Sequence, residues 1–166
     1  MFDLVLRQAR IVGHPGPVDI GVTGGVISAI APSLPAGGLK WSAEGRFVCS
    51  GFSEAHIHLD KALILDRCPI CQGTLKEAVT LTAAAKTTFT AEDVYRRARR
   101  VLEKAIPYGT MRMRSFVETD PRAGLRSFEA LIALKRDFAE AIDLDLCAFA
   151  QEGLERDGIR LDHILS

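Results

Sequence analysis

The sequence predicts an α/β protein that begins with a β segment and continues with alternating strands and helices. Residues 1–50 hold short apolar runs of β type, separated by turns rich in glycine and proline. After residue 50, runs with the two-residue period of strands alternate with runs that have the 3.6-residue period of helices. We therefore expect a β segment over residues 1–50 and a β/α unit over residues 51–166.

Short strands dominate the predicted structure of the first 58 residues. The predicted strands are residues 2–12, residues 18–31 and, within residues 46–58, Phe47-Val48 and the run that contains His56 and His58. Residues 13–17 and 32–38 contain the glycine and proline that break these strands, so they are predicted to be turns.

Three helices are predicted downstream, over residues 74–86, 91–106 and 125–140. Thr90 is a suitable N-cap for the second helix, because acidic side chains follow it in the first turn. The residues expected to pack inward from the three helices are, in order, Leu75, Val79, Leu81 and Thr82; Val94, Ala98, Val101, Leu102 and Ala105; and Phe128, Leu131, Ile132, Leu134 and Phe138.

Two more strands are predicted between and after the last two helices. Met111, Met113, Ser115 and Val117 alternate with the residues between them, as in a strand with two different faces. A further strand contains Ile142, Leu144 and Leu146 and ends just before Gln151.

Composition and charge exclude several classes of protein. Of the 166 residues, 48% are apolar and 25% are charged, which is typical of a folded globular domain. The 21 basic and 21 acidic residues balance, so no nucleic-acid partner and no anionic membrane partner is expected. No apolar run approaches a membrane span and the first residues lack signal-peptide character, so we expect a cytoplasmic protein.

Cys68 and Cys71 form a C-x-x-C pair, which can be a redox pair or half of a zinc site. No second C-x-x-C completes a structural zinc site in this sequence. We expect two reduced thiols in a loop, with a reversible disulfide as the alternative.

His56 and His58 are the strongest indication of chemistry in the sequence. Side chains alternate along a strand, so both imidazoles would point to one face while Ile57 packs on the other. Two imidazoles on one face can bind one divalent metal ion. His-x-His is common, however, and by itself it also fits two surface histidines.

The residues around this pair resemble the cytosine-deaminase-like branch of the amidohydrolase superfamily. The similar segments are Gly51-Phe52-Ser53-Glu54-Ala55-His56-Ile57-His58-Leu59-Asp60-Lys61 and Phe149-Ala150-Gln151-Glu152-Gly153. The resemblance implies the N-terminal part of a metal-dependent hydrolase (β/α)8 TIM-type barrel. About three βα units would be present, preceded by part of a small β-sandwich over residues 1–50.

The sequence departs from the family pattern at three positions. Ser50 and Ala150 stand where the family motifs have proline. Phe116 stands where a motif of the type Arg-Thr-His-Val-Asp has histidine, so the role of that histidine is absent. This substitution argues against cytosine itself as the substrate.

The resemblance implies a metal site, substrate-binding side chains and a reaction. His56 and His58 would bind zinc or iron(II), and water activated by the metal would attack a ring carbon that bears an amino or amide group. Gln151 would offer a donor and an acceptor to a small heterocyclic substrate, and Lys61 could reach a substrate carbonyl. Asp60 is expected to form a structural pair, and Glu152 to cap backbone groups.

A complete barrel needs roughly 250 residues, so 166 residues correspond to strands one to three of the family. The general acid/base and the later metal ligands of the family would lie in the other strands, and neither His14 nor His163 replaces them. Three alternatives to an active enzyme follow. The chain could be an inactive truncated fragment, half of a split enzyme that self-associates or pairs with a complementing C-terminal chain, or a metal- or redox-binding module.

Overall fold

A computed structural model describes residues 1–69, 72–119, 124–151, 155–156 and 159–160. The chain divides into two compact units, Met1–Ser50 and Gly51–Ser166. Within the described residues, no helix is both long enough and apolar enough to cross a membrane.

The first unit is a four-stranded sheet with the order β3-β2-β1-β4. Its strands are β1 (Leu4–Ala9), β2 (Val18–Thr23), β3 (Val26–Ala31) and β4 (Leu39–Ser42). β2 pairs antiparallel with both β1 and β3, whereas β4 pairs parallel with β1. Gly24 and Gly25 both have positive φ, which is the backbone that a two-residue hairpin turn between twisted strands requires.

Strand β4 was not predicted, and the prediction of a strand at Phe47-Val48 is wrong. Phe47 forms only an isolated bridge with Arg10. The register of β1 shifts between Leu6 and Ala9, where Gln8 has a φ of 52°. Regular pairing with β4 stops at Arg7, and the irregular backbone beyond it supports a single bridge.

Asp19 is a buried polar centre of this sheet unit. Its carboxylate accepts hydrogen bonds from the Leu34 N–H at 3.0 Å, the Gln8 N–H at 3.1 Å and the Arg7 guanidinium. Burial by itself would raise the pKa of Asp19, but these hydrogen bonds outweigh it and hold the pKa below its ordinary value. One carboxylate thereby joins strands β1 and β2 to the turn after β3.

The second unit contains a three-stranded parallel sheet with the order β5-β6-β7. Its strands are β5 (Phe52–Ile57), β6 (Thr110–Glu118) and β7 (Asp143–Phe149), and its helices are α1 (Leu75–Ala85), α2 (Ala91–Ala105) and α3 (Arg126–Asp137). Two short strands, β8 (Glu155–Arg156) and β9 (Ile159–Arg160), pair after β7. The predicted β/α alternation is therefore confirmed.

Helices α2 and α3 pack against one face of this sheet. The core includes buried residues of the two helices and of the strands, among them Val94, Ala98, Leu102, Leu131, Leu134, Met113, Val117 and Leu144. Thr90 accepts the Asp93 N–H at 3.1 Å, so the predicted N-cap of α2 is confirmed. Ile132 is 55% exposed, so its predicted burial is wrong.

The predicted buried stripe of α1 is also wrong. None of the α1 residues is buried, and Leu75 is 81% exposed. The periodicity did place the helix correctly, with Thr74 as its N-cap. The helical side of the core comes mainly from α2 and α3, and among the residues of α1 only the half-buried Ala85 packs against it.

Asp93 joins the start of α2 to the turn at Leu65–Arg67. Both of its oxygens accept hydrogen bonds from Arg67, at 2.7 and 2.8 Å, and the buried Arg97 donates to it at 2.9 Å. Hydrogen bonds from Arg67, followed by those from Arg97, lower the pKa of Asp93 well below its usual range.

We predict that Asp93→Asn lowers the free energy of unfolding at pH 7 by about 2 kcal/mol, because charge-assisted hydrogen bonds are lost. A carboxylate whose pKa is depressed in the folded state stabilises above its unfolded pKa, roughly pH 4, and loses this contribution in more acidic solution. The difference between the variant and the natural chain should therefore shrink as the pH falls below roughly 4. Urea unfolding across this pH range measures the effect.

Glu92→Gln is the matched control, because it neutralises an exposed carboxylate in the same helical turn. A loss of stability as large as that of Asp93→Asn would contradict the assignment. So would an Asp93→Asn effect that does not change with pH.

Candidate functional site

The carboxyl ends of the three parallel strands meet at one edge of the sheet. His58 follows β5, Glu118 ends β6, and Gln151 lies two residues after β7. In parallel α/β sheets this is the edge at which binding and catalytic side chains collect.

The two predicted metal ligands lie side by side at this edge, with their ring centroids 5.4 Å apart. His58 Nδ1 is 2.9 Å from the Phe116 carbonyl oxygen. A carbonyl can only accept, so Nδ1 carries the hydrogen and Nε2 keeps its lone pair. Burial, and secondarily the charge of Lys61, lower the pKa of His58 and favour the neutral imidazole that metal binding requires.

Phe116, the residue that departs from the family motif, contacts both histidines. Its ring stacks on His56 at a centroid distance of 4.3 Å and lies 6.1 Å from His58. Phe149 closes the other side of His58 at 5.1 Å. Ile57 packs against the main core, so its predicted position on the opposite face is confirmed. The two histidines are therefore supported by an aromatic wall.

Glu118 organises the other half of this edge, and the sequence interpretation did not identify it. It is 2% exposed and forms an ion pair with Lys61, whose Nζ is 2.8 Å from Glu118 Oε2. Lys86 Nζ lies 3.7 Å from the second oxygen, which also accepts the Gln151 N–H at 3.2 Å. An acidic residue at the end of a predicted parallel strand was the available signal.

The Gln151 side chain has a fixed orientation. Its Oε1 accepts a hydrogen bond from Lys61 Nζ at 2.7 Å. An ammonium has no acceptor, so the amide oxygen must face Lys61 and the amide NH₂ must face away. The sequence predicts that Gln151 offers a donor and an acceptor; in the structure Oε1 already accepts from Lys61, so the N–H groups are the part of the amide left to a ligand.

Asp60 has a structural position below this edge. Its Oδ2 accepts the Glu118 N–H at 2.9 Å, and its backbone oxygen accepts from Arg97 at 2.8 Å. Burial raises the pKa of Asp60, and its Oδ1 has no hydrogen-bond partner among the described residues. These contacts agree with the prediction that Asp60 forms a structural pair.

A cavity of about 450 Å³ opens beside His58, Lys61 and Gln151. Among the described residues, the rest of the cavity lining comes from the loop after β5 and from one side of α1: Leu63, Ile64, Leu65, Cys68, Ala78, Val79, Leu81 and Thr82. Lys61 and Gln151, the two predicted substrate-binding residues, thus lie at the same cavity as one of the predicted metal ligands.

The described residues do not bring three metal-binding side chains together. Cys68 is half-buried at the cavity. Cys71, Glu152 and His163 lie outside the described residues, so the predictions for them stay predictions. The roles of His56, His58, Lys61 and Gln151 in binding likewise stay predictions.

No protein-family model matches the chain. It is 29% identical over 159 residues to the N-isopropylammelide isopropyl amidohydrolase of Pseudomonas sp. strain ADP, a match that covers 92% of this chain and 39% of that enzyme. The chain therefore spans about two fifths of the length of this curated relative.

Two solved structures are similar to the chain over nearly all of its length. The 5-methylcytosine deaminase from Klebsiella pneumoniae liganded with phosphonocytosine has a TM-score of 0.78 and 31% identity, covering 96% of this chain and 40% of its own. The N-isopropylammelide isopropylaminohydrolase from Burkholderia multivorans ATCC 17616 has a TM-score of 0.78 and 26% identity, covering 99% and 42%.

These relatives confirm the expected fold, a part of an amidohydrolase TIM-type barrel with a β segment before it. The chain is related, over nearly its whole length, to the cytosine-deaminase-like branch of the amidohydrolase superfamily.

Proposed function

We propose that this chain contributes part of the active site of a hydrolase that cleaves C–N bonds of small nitrogen heterocycles. His56 and His58 would bind the metal, and the Gln151 side chain would bind the substrate ring. The supporting observation is the imidazole pair at the carboxyl edge of a parallel sheet, next to a cavity that also contains Lys61 and Gln151. The relatives support the same reaction class, since they are named as a deaminase of 5-methylcytosine and as hydrolases of N-isopropylammelide.

The imidazole pair fits one divalent metal ion. Two imidazoles that share a tetrahedral zinc at Zn–N distances of roughly 2 Å have ring centres roughly 5 Å apart. The observed centroid separation is 5.4 Å, and the Phe116 carbonyl holds His58 in the tautomer whose Nε2 can coordinate. A backbone carbonyl that accepts the other ring N–H is the usual support for a metal-binding histidine. Zinc and iron(II) both suit imidazole ligands.

When bound, such a metal would supply Lewis acidity that activates water at neutral pH. The residues of this chain would position the ring for that attack. Gln151 presents its amide hydrogens, so it would bind a ring carbonyl or an unprotonated ring nitrogen. Lys61 holds the Gln151 amide in this orientation, and Glu118 neutralises and holds Lys61.

The remaining metal ligands and the general acid/base would come from strands outside these 166 residues. β5 and β7 are the two edges of the three-stranded sheet, so either edge offers backbone groups to a further strand. Polypeptide beyond these 166 residues, a complementing chain or a second copy of the chain would meet this requirement.

The 166-residue chain, purified by size-exclusion chromatography, should hold close to one zinc or iron per chain, because two neighbouring imidazoles with ring centroids 5.4 Å apart provide the first ligands. His56→Ala with His58→Ala should abolish this binding. Elemental analysis after dialysis against each metal gives the stoichiometry.

His14→Ala is the matched control, because His14 is exposed and belongs to the first unit. Metal that persists in the double variant, or that is lost in His14→Ala, would contradict the assignment of the site.

Gln151→Glu tests whether the amide group of Gln151 binds the substrate ring. The glutamate can still accept from Lys61, but it cannot donate to a ring acceptor, so the affinity for a ring amide such as uracil should fall roughly tenfold or more. Ligand-observed NMR titration measures the affinity. Unchanged binding of uracil would show that the Gln151 amide hydrogens do not contact the ring.

A further inference from the structure

We infer that Arg97 of α2 is a positioning residue of the candidate site. It fixes the backbone on both sides of Lys61 and thereby sets the orientation of the Gln151 amide. Arg97 is 3% exposed and does not belong to the described lining of the cavity. Its effect on ligand binding rests on the proposed function, whereas its effect on the Gln151 side chain does not.

Lys61 lies in a tight turn that follows β5. Leu59–Lys61 form a single 3₁₀ turn, in which the Ala62 N–H donates to the Leu59 oxygen at 3.3 Å. So short a turn leaves its later carbonyl groups without a partner inside the turn. Two carbonyl groups that need such a partner, those of Asp60 and Ala62, lie directly before and directly after Lys61.

A single guanidinium binds both of these carbonyl groups. Arg97 Nη1 donates to the Asp60 oxygen at 2.8 Å and to the Ala62 oxygen at 2.6 Å. Arg97 Nε donates to Asp93 at 2.9 Å, and the guanidinium lies 4.5 Å from the centroid of the Phe89 ring. The guanidinium is planar and its donors have a fixed geometry, so these contacts determine where both carbonyl groups lie.

The backbone at Lys61 determines which groups the Lys61 ammonium can reach. Its Nζ lies 2.8 Å from Glu118 Oε2 and 2.7 Å from Gln151 Oε1, and the side chain is 9% exposed. A long side chain keeps one orientation only when its backbone is also fixed, because each rotatable bond otherwise allows alternatives. The contacts therefore connect Arg97 to Gln151 through the turn and through Lys61.

Arg97 holds the part of the turn whose backbone is least favourable. The first part has other supports, since the Leu59 N–H donates to Ser115 Oγ at 3.1 Å. After Ala62 the chain continues into Leu63, whose φ of 56° is uncommon for residues other than glycine. Loss of the Arg97 hydrogen bond to the Ala62 oxygen would allow this backbone to relax and Lys61 to move with it.

Arg67 provides the matched comparison for Arg97. Both arginines donate to Asp93, and the Arg67 guanidinium lies 5.9 Å from the centroid of the Phe89 ring. Only Arg97 also donates to the turn that carries Lys61, among the described residues. An arginine that only stabilises the fold can therefore be distinguished from one that positions Lys61.

The side-chain amide signals of the chain report the environment of Gln151 directly. The sequence contains three glutamines, Gln8, Gln72 and Gln151, and no asparagine, so a nitrogen–proton correlation NMR spectrum holds three carboxamide signals. Gln151→Glu removes the Gln151 signal and so assigns it. Lys61→Met gives the position of that signal when the hydrogen bond from Lys61 is absent.

Arg97→Ala should move the Gln151 signal most of the way to its Lys61→Met position, whereas Arg67→Ala should leave it in place. Zinc-loaded Arg97→Ala should also bind uracil roughly three- to tenfold more weakly than the natural chain. Each variant is measured below its own unfolding temperature, so that lost stability by itself changes neither result. An unmoved Gln151 signal in folded Arg97→Ala, or equal shifts in the two alanine variants, would overturn the inference.

Guanidinium ions provide a rescue experiment. Guanidinium chloride, at concentrations too low to unfold Arg97→Ala, should return the Gln151 signal towards its natural position, because the free cation can donate to the same two carbonyl groups. Sodium chloride at the same ionic strength controls for charge screening and should not restore the signal. Equal recovery with the two salts would overturn the inference.

Arg97→Lys keeps the test decisive if Arg97→Ala does not fold. The lysine retains a cation for Asp93, but an ammonium lacks the planar fork that spans the carboxylate and the two carbonyl groups. The Gln151 signal should therefore move in this variant too, and an unmoved signal would overturn the inference. If the natural chain does not bind uracil, the proposed function fails, while the Gln151 signal still decides the role of Arg97.

Discussion

The carboxyl edge of the parallel sheet depends on one buried carboxylate, that of Glu118. It pairs with Lys61 from the turn after β5, accepts the backbone N–H of Gln151 after β7, and itself ends β6. The Glu118 N–H in turn donates to Asp60. Burying these charges is costly unless they are paired, so their arrangement has few alternatives. All three strands are thereby tied together at the point where the candidate site begins.

This constraint explains how the site can be oriented before any ligand arrives. Lys61 is held by Glu118 and holds the amide of Gln151, while the Phe116 carbonyl sets the tautomer of His58. The His58 ring and the Gln151 amide are thus each held by a hydrogen bond to another residue of the chain. Such support keeps polar side chains in place and reduces the reorganisation needed on binding. Position 116 has phenylalanine where the family motif has histidine. This is compatible with the support of His58, because the backbone carbonyl of Phe116 makes the hydrogen bond to the His58 ring.

The second unit also leaves apolar and backbone groups uncovered. Helix α1 contributes no buried residue, and among the described residues no further strand pairs with the outer sides of β5 and β7. Further strands would cover these edges.

Local sequence patterns determined the β/α order, the helix starts at Thr74 and Thr90, and the placement of Ile57 on the core side of its strand, because periodicity and capping act within a few residues. The residues that flank His56 and His58 also indicated, from the sequence, that this pair is a candidate metal site. Tertiary structure decided the pairing of β4, the exposure of α1, and the central position of Glu118. These outcomes depend on which strand pairs with the edge of a sheet, which element packs on a helix and which side chain pairs with a buried charge. Such neighbours are distant in sequence, so periodicity cannot reveal them.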